Sequence, residues 1–469
     1  MRIICVLSFL FVSAFQNLLA ATYGDFTYEQ ITLGGGGSAS NENYIVITKY
    51  NGSATSIVIP SEIDGSQVKH IGNYAFNNCI NIENIIIPNT VETIGDNAFT
   101  NCSKLIEITI PDSVTLIKTS AFIDCKNLLR VNLGSGFQAI GYHMFYNCWK
   151  LQEINIPSNI TSIGYEAFYQ CYALKSISIP DSVSSIDPSA FKYCTGLESI
   201  STGNGISTIG DQMFYGLSNL KNITIGNGVT SIGNNVFGWC TSIEKIILPN
   251  SVTSITSTTF KDCFNLSLID LGDGLQAIPD QAFRGMWNLR TIYIGKSVTE
   301  IGESAFFWTG TLKKVVVAGN LSTIGNASFG MIQSQTGTSP TFEIIFLGNP
   351  PLAFVGDPFI YSQNFTIKYS GRNNMWNSIA GLGANYLLNT YTLTEYIEPK
   401  MSLIFSQKTN NTYNLKFNSV IGSDYTIESS EDLRAWSSYL TGIRGDDSIK
   451  DVDFSFTLNK MFIRVRHTQ

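Results

Sequence analysis

Histidine is almost missing from this chain: His70, His143 and His467 are the only three in 469 residues. None is placed to form a nucleophile–base pair, and no metal-ligand spacing occurs. Charge is scarce as well. Charged residues make up 14% of the chain and the net charge is −7, which leaves no basic surface for nucleic acid. After the amino-terminal stretch, no apolar run reaches the length of a membrane span. The acids Glu107, Glu153 and Glu198 are scattered along the chain and read as solvated. The run Gly34 to Gly37 follows a plausible strand but opens no helix, so it makes no phosphate cradle. These absences leave no catalytic residue, no metal site and no cofactor to expect, and the chain does not read as an enzyme.

What the chain has in abundance is regularity. Phe76, Phe99, Phe122, Phe145, Phe168, Phe191, Phe214, Phe237, Phe260, Phe283, Phe306 and Phe329 follow one another at a constant interval of 23 residues. Such a period predicts a solenoid, each repeat forming one turn stacked on its neighbours. Residues 94–115 read IGDNAFTNCSKLIEITIPDSVT, a nearly complete copy of the unit. Leu105, Ile108 and Ile110 give the L-x-x-L-x-L strand signature of leucine-rich repeats. Alternation puts Ile108 and Ile110 on one face, Glu107 and Thr109 on the other. Pro111 ends the strand because it has no N–H to donate. The Ile94–Gly95 pair makes a second corner, although Lys118, Asp187, Thr256 and Pro279 replace the glycine in other repeats. The expected fold is therefore a mostly β solenoid of about 12 repeats, roughly 55–60 Å long at the usual strand spacing.

The repeat resembles the bacterial BspA-type leucine-rich repeat, also called the Treponema pallidum type, over residues 48–347. The opening stretch from Thr48 to Gly72, with Ile57-Val58-Ile59-Pro60, is similar to the first repeat of that family. The resemblance implies a surface or secreted bacterial protein, since several members are adhesins that bind host matrix proteins or other cells.

Residues 1–21, with Arg2, the apolar run Ile3 to Phe15 and small residues at Ala20 and Ala21, read as a Sec-type signal peptide. The mature chain is then secreted or held at the cell surface. Residues 22–47 read as an amino-terminal cap, a hairpin shielding the first turn. Phe342, Ile344, Ile345 and Phe346 look like a last strand, and 348–396 read as degenerate closing repeats or a linker. From 397 to 469 the period is gone. Short alternating runs at Leu403 to Ser406, Tyr413 to Phe417, Tyr425 to Glu428, Phe454 to Thr457 and Phe462 to Val465 predict a small β-sandwich. With Leu433 and Trp436, this passage resembles a carboxy-terminal module of exported bacterial proteins.

Eight of the nine cysteines share one repeat position: Cys79, Cys102, Cys125, Cys148, Cys171, Cys194, Cys240 and Cys263. Leu217 and Met286 stand in elsewhere, as in a packed apolar column of free thiols; bridges between neighbouring turns are the alternative.

The outward strand row Thr109, Asn132, Asn155, Ser178, Ser201, Thr224, Asp270 and Tyr293 is expected to be exposed and mostly polar. Aromatic placement is less even. Tyr142, Tyr146, Trp149, Tyr165, Tyr169, Tyr172 and Tyr193 gather around repeats four to six, where earlier repeats carry polar residues. A second group comprises Trp239, Phe264, Trp287, Phe307 and Trp308. Rings outside the core columns favour partner binding, or else lie on the turns as local cover. The expected function is adhesin-like recognition of an extracellular or host protein by a monomer. A glycan-binding surface protein and a structural spacer presenting the carboxy-terminal module are the alternatives.

Overall fold

The computed structural model describes residues 21–33, 42–332, 342–349, 351–362, 365–370 and 391–396, together with strands between 403 and 468. It is a β-solenoid of about 14 turns, with no helix among the described residues. The expected signal peptide lies outside the described residues except for Ala21, which opens the first strand and pairs with Tyr28. The Gly34 to Gly37 run also lies outside them.

Each turn contributes three hydrogen-bonded layers. The first is the predicted strand, such as Glu107–Thr109, paired in parallel with Arg130–Asn132 of the next turn. The second is a two-residue strand at the Ile-Gly corner, as where Leu116–Ile117 pairs with Thr93–Ile94. The third is a turn around the phenylalanine. There the amides of Asn97, Phe99 and Asn101 donate to the carbonyls of Thr119, Ala121 and Ile123, at 2.8 to 3.0 Å. Alternate amides along this arc point to the next turn because the backbone switches hand twice: φ is 54° at Asn97 and 56° at Asn101. The same two positions carry positive φ in nearly every turn, mostly without glycine. Gly95 has another role. A Cβ there would stand 2.6 Å from the amide nitrogen of Asn73, so the corner is a close approach between turns.

The phenylalanines stack in one file, with ring centroids 5.1 to 6.2 Å apart. The file outruns the sequence period at both ends. Tyr50 stacks on Phe76 at 5.7 Å, and Phe26 closes over Tyr50 at 5.3 Å. At the other end Phe359 stacks on Phe329 at 5.7 Å, with an insertion between them. The strand ladder likewise continues past Phe342–Phe346, adding Phe365–Ser370 and Tyr391–Tyr396 in parallel. At the amino end Phe26–Leu33 and Glu42–Tyr50 form an antiparallel hairpin whose second strand joins Ser66–Ile71.

The thiols line a second file. All eight of these cysteines are free, and all but Cys79 are buried. From Cys102 onward each Sγ donates to the carbonyl of the phenylalanine one turn back, as with Cys125 to Phe99 at 3.2 Å and Cys194 to Phe168 at 2.9 Å. Ser362 does the same for Phe329 at 2.6 Å, across the insertion.

Beyond the solenoid, six strands form two three-stranded antiparallel sheets. One orders Leu403–Thr409, Thr412–Asn418 and Ile449–Ser455; the other orders Ser437–Arg444, Asp424–Ser430 and Phe462–Thr468. The strand Ser437–Arg444 has no counterpart among the runs read from sequence. Leu433 and Trp436 lie outside the described residues.

One expectation fails on the strand face. Asp270 and Tyr293, placed in the exposed outward row, are fully buried. Early members of that row, such as Thr109, Asn132 and Ser178, are exposed.

Candidate functional site

The aromatic residues of turns four to seven project from the phenylalanine arc. The phenylalanine and the cysteine three residues later are buried in the core, while the residues between and just after them, such as Tyr146 and Trp149, are partly or largely exposed. Tyr146 and Tyr169 follow their phenylalanines directly and stack on one another across turns, 4.6 Å apart and nearly parallel at 7°. Tyr169 meets Tyr193 edge to face at 5.6 Å. Tyr193 meets Tyr215 in the same way, also at 5.6 Å. The result is a continuous ridge, Tyr146–Tyr169–Tyr193–Tyr215, crossing four turns.

Two cations sit in this surface. Lys192 Nζ lies 5.4 Å from the Tyr193 ring and 5.3 Å from the Tyr215 ring, and donates to Gln212 Oε1 at 2.5 Å. Lys126 Nζ lies 4.6 Å over Trp149, which leans on Tyr172 at 6.2 Å. At the other flank His143 contacts the rings of Tyr146 and Tyr165, and its Nε2 is 3.4 Å from Glu166 Oε2. Partial burial pushes the phenols of Tyr146, Tyr169, Tyr172 and Tyr215 above their ordinary range. A hydrogen bond to Glu166 does so first for Tyr165. All of these hydroxyls are neutral donors at physiological pH.

Of the seven rings singled out in the sequence, Tyr146, Tyr169 and Tyr193 join the ridge. Trp149 and Tyr172 form a pair, and Tyr165 is tied in through His143. Tyr142 is directed elsewhere: its Cδ1 lies 2.5 Å from where a Cβ on Gly164 would be, so it covers the next turn. Tyr215, Lys192, Lys126 and His143 were missed. Tyr215 repeats the position of Tyr146 and Tyr169 two turns later, a signal that the periodicity does carry.

Tyr193 has a second distinction. Its φ is 60°, in the left-handed region, at a position held by Asn101, Asn147 or Gly216 in other turns. Trp239 and Trp308 occupy the same position at φ 61° and 67°. A bulky residue there costs roughly 1–2 kcal/mol that glycine avoids. The second aromatic group is built on these two: Trp239 meets Phe264 at 6.0 Å, and Trp308 meets Trp287 at 4.6 Å. Arg284 lies 5.3 Å over Phe307.

The family profile described as BspA type leucine rich repeat region matches six copies in residues 49–175, 161–256 and 207–336, which together span more than half of the chain. The chain belongs to the BspA-type leucine-rich repeat family. No curated protein matches it. Among solved structures it is similar to a leucine-rich repeat protein from Bacteroides ovatus, with 22% identity and a TM-score of 0.45, covering 77% of this chain and 98% of that one. It is similar to the leucine rich repeat protein of T. pallidum, with 27% identity and a TM-score of 0.34 over 48% of this chain and 91% of that one. A leucine rich cell surface protein from Faecalibacterium prausnitzii is similar at 22% identity and a TM-score of 0.37, over 77% and 97% of the two chains. Among the described residues of this BspA-type chain, no helix is long and apolar enough to cross a membrane.

Proposed function

We propose that the chain is a non-enzymatic, adhesin-like protein, exported to the bacterial surface or beyond, whose aromatic ridge recognises a protein partner. The observation that carries this reading is the continuity of Tyr146, Tyr169, Tyr193 and Tyr215 across four turns, outside the core files. Tyrosine is suited to such a surface because it offers large area, few rotamers and a hydroxyl donor. Membership of the BspA-type family and the cell-surface label of the F. prausnitzii protein support the location.

A protein fits the ridge better than a glycan does. Sugars stack on free ring faces, and here one face of several rings is already engaged. Tyr146 and Tyr169 cover one another. Lys126 lies over Trp149, and Lys192 lies between Tyr193 and Tyr215. Lys126 and Lys192 add ammonium groups and the tyrosines add hydroxyls to this surface, groups suited to the side chains and carbonyls of a partner protein.

The test is the quadruple replacement of Tyr146, Trp149, Tyr169 and Tyr172 by serine. Captured extracellular partners should lose about 100-fold or more in affinity, because hot-spot aromatics each carry about 2 kcal/mol or more. The thermal melt should stay in place. Unaltered capture by the folded variant removes these four rings from consideration, and selective binding to a glycan array would hand the site to a sugar.

A further inference from the structure

The outward row of the long strand ladder changes character along the solenoid. Register fixes its members. They run from Val58 through Ile86, Thr109 and Asn132, and later through Ile247, Asp270, Tyr293, Val316 and Ile345. In the first turns even the apolar members are open to solvent, Val58 at 64% and Ile86 at 60%. In the last turns Tyr293, Val316 and Ile345 are 1%, 3% and 1% exposed, and they form a hydrophobic cluster separate from the core, with Leu268 and Ala318 packed against it. The strands change accordingly. Glu107–Thr109 alternates, whereas Val315, Val316 and Val317, and then Ile344, Ile345 and Phe346, are apolar without a break. Continuous apolar strands belong to sheets covered on both faces.

Neighbours within the sheet do not account for this, because Val58 and Ile86 have sheet neighbours too and stay open. We infer that the outward face of the last turns, centred on Tyr293, Val316 and Ile345, is the docking surface for residues 397–469 of the same chain. Chain length and chemistry single out this occupant. Residues 333–341 carry no aromatic residue and no valine, leucine, isoleucine or methionine, so they offer the cluster no large apolar side chain. Residues 371–390 join two neighbouring parallel strands, Phe365–Ser370 and Tyr391–Tyr396, and their length is what one circuit of the coil needs. Residues 1–20 are expected to be cleaved as a signal peptide and residues 34–41 hold no large apolar side chain, which leaves residues 397–469, with apolar residues such as Phe405, Leu415, Ile427, Leu440, Val452 and Ile463 to offer. The carboxy-terminal region is then fixed to the solenoid instead of swinging on a tether. It occupies the end of the strand face and leaves the polar early turns and the aromatic ridge free.

The experiment uses the full mature chain. Lysine-reactive cross-linking followed by peptide mass analysis should join Lys245 or Lys314 to lysines of the carboxy-terminal region, such as Lys408, Lys416 or Lys450. Residues 371–390 contain no lysine, so an occupant there gives no such links, and a second copy gives them only in cross-linked dimers; either result overturns the proposal. In parallel, Val316→Asp should speed proteolytic cleavage within 397–469 by about tenfold or more, since cleavage follows the population of the released state. The rate for a Thr109→Asp control should not change. Equal cleavage of Val316→Asp and wild type, with both solenoids intact by circular dichroism, also overturns it.

Discussion

Tyr193 and Gly216 hold the same repeat position in consecutive turns, both at positive φ, and the ring of the first fills the space a side chain on the second would need. A Cβ built on Gly216 would lie 2.5 Å from Tyr193 Cδ1. The φ angles are 60° and 77°. Glycine in one turn thus makes the seat for a strained tyrosine in the turn before it, and that tyrosine links the two halves of the ridge.

Gly216→Ala therefore disturbs both partners. The new methyl group must adopt a left-handed backbone and displace the ring, so destabilisation should exceed about 1 kcal/mol. Urea unfolding followed by circular dichroism reads the loss. A double variant that also carries Tyr193→Ser should recover part of it. If the two changes simply add, the ring and the glycine are not coupled.

The phenylalanine file predicts a larger effect from a single truncation. Phe168 is fully buried between Phe145 at 5.5 Å and Phe191 at 5.2 Å. Phe168→Ala should cost about 3–5 kcal/mol, the range for an uncollapsed core cavity. Because each turn contacts mainly its neighbours, hydrogen exchange should rise most in the adjacent turns and least at the ends of the solenoid. Uniform loosening along the whole chain would contradict a one-dimensional stack.

The thiol file makes stability depend on alkaline pH. Burial pushes Cys102, Cys125, Cys148, Cys171 and Cys263 up, and Cys240 up to about 12 from an ordinary 9.0. At about pH 8 and lower these thiols are almost wholly neutral whether the chain is folded or not, so they add no pH dependence there. Between the ordinary value and the raised one the unfolded chain ionises and the folded chain does not, so stability falls as pH rises. Each thiol contributes up to about 1.4 kcal/mol per pH unit in that window. The urea midpoint should drop between about pH 8 and about pH 10.5, and Cys240→Leu, which copies Leu217, should lessen the drop. A midpoint indifferent to pH over this range would mean the thiols are not held neutral.

How far the sequence could be read depended on whether a residue kept the period. Phe76 to Phe329 announced the file, and Ile108 with Ile110 announced the strand. Phe359 escaped because residues 333–341 interrupt the count, although its ring stacks on Phe329 as the others do. Tyr50 escaped because it differs in type and in spacing. The left-handed positions at Asn97 and Asn101 were invisible for another reason: most turns place no glycine there, and stacking hydrogen bonds impose what local preference would not. On the candidate site, the concentration of rings was legible and their partition was not. Tyr142 and Tyr146 are four residues apart, yet one covers Gly164 and the other stacks on Tyr169.

The sequence by itself determined the coil and its interior columns, because a fixed repeat length forces equivalent residues into register and apolar side chains have only the core to enter. Tertiary structure alone decided which outward residues meet. Tyr193 reaching Tyr169 and Tyr215, and Tyr293, Val316 and Ile345 losing their water, depend on how neighbouring turns and distant segments come together in space, and no spacing within one repeat encodes that.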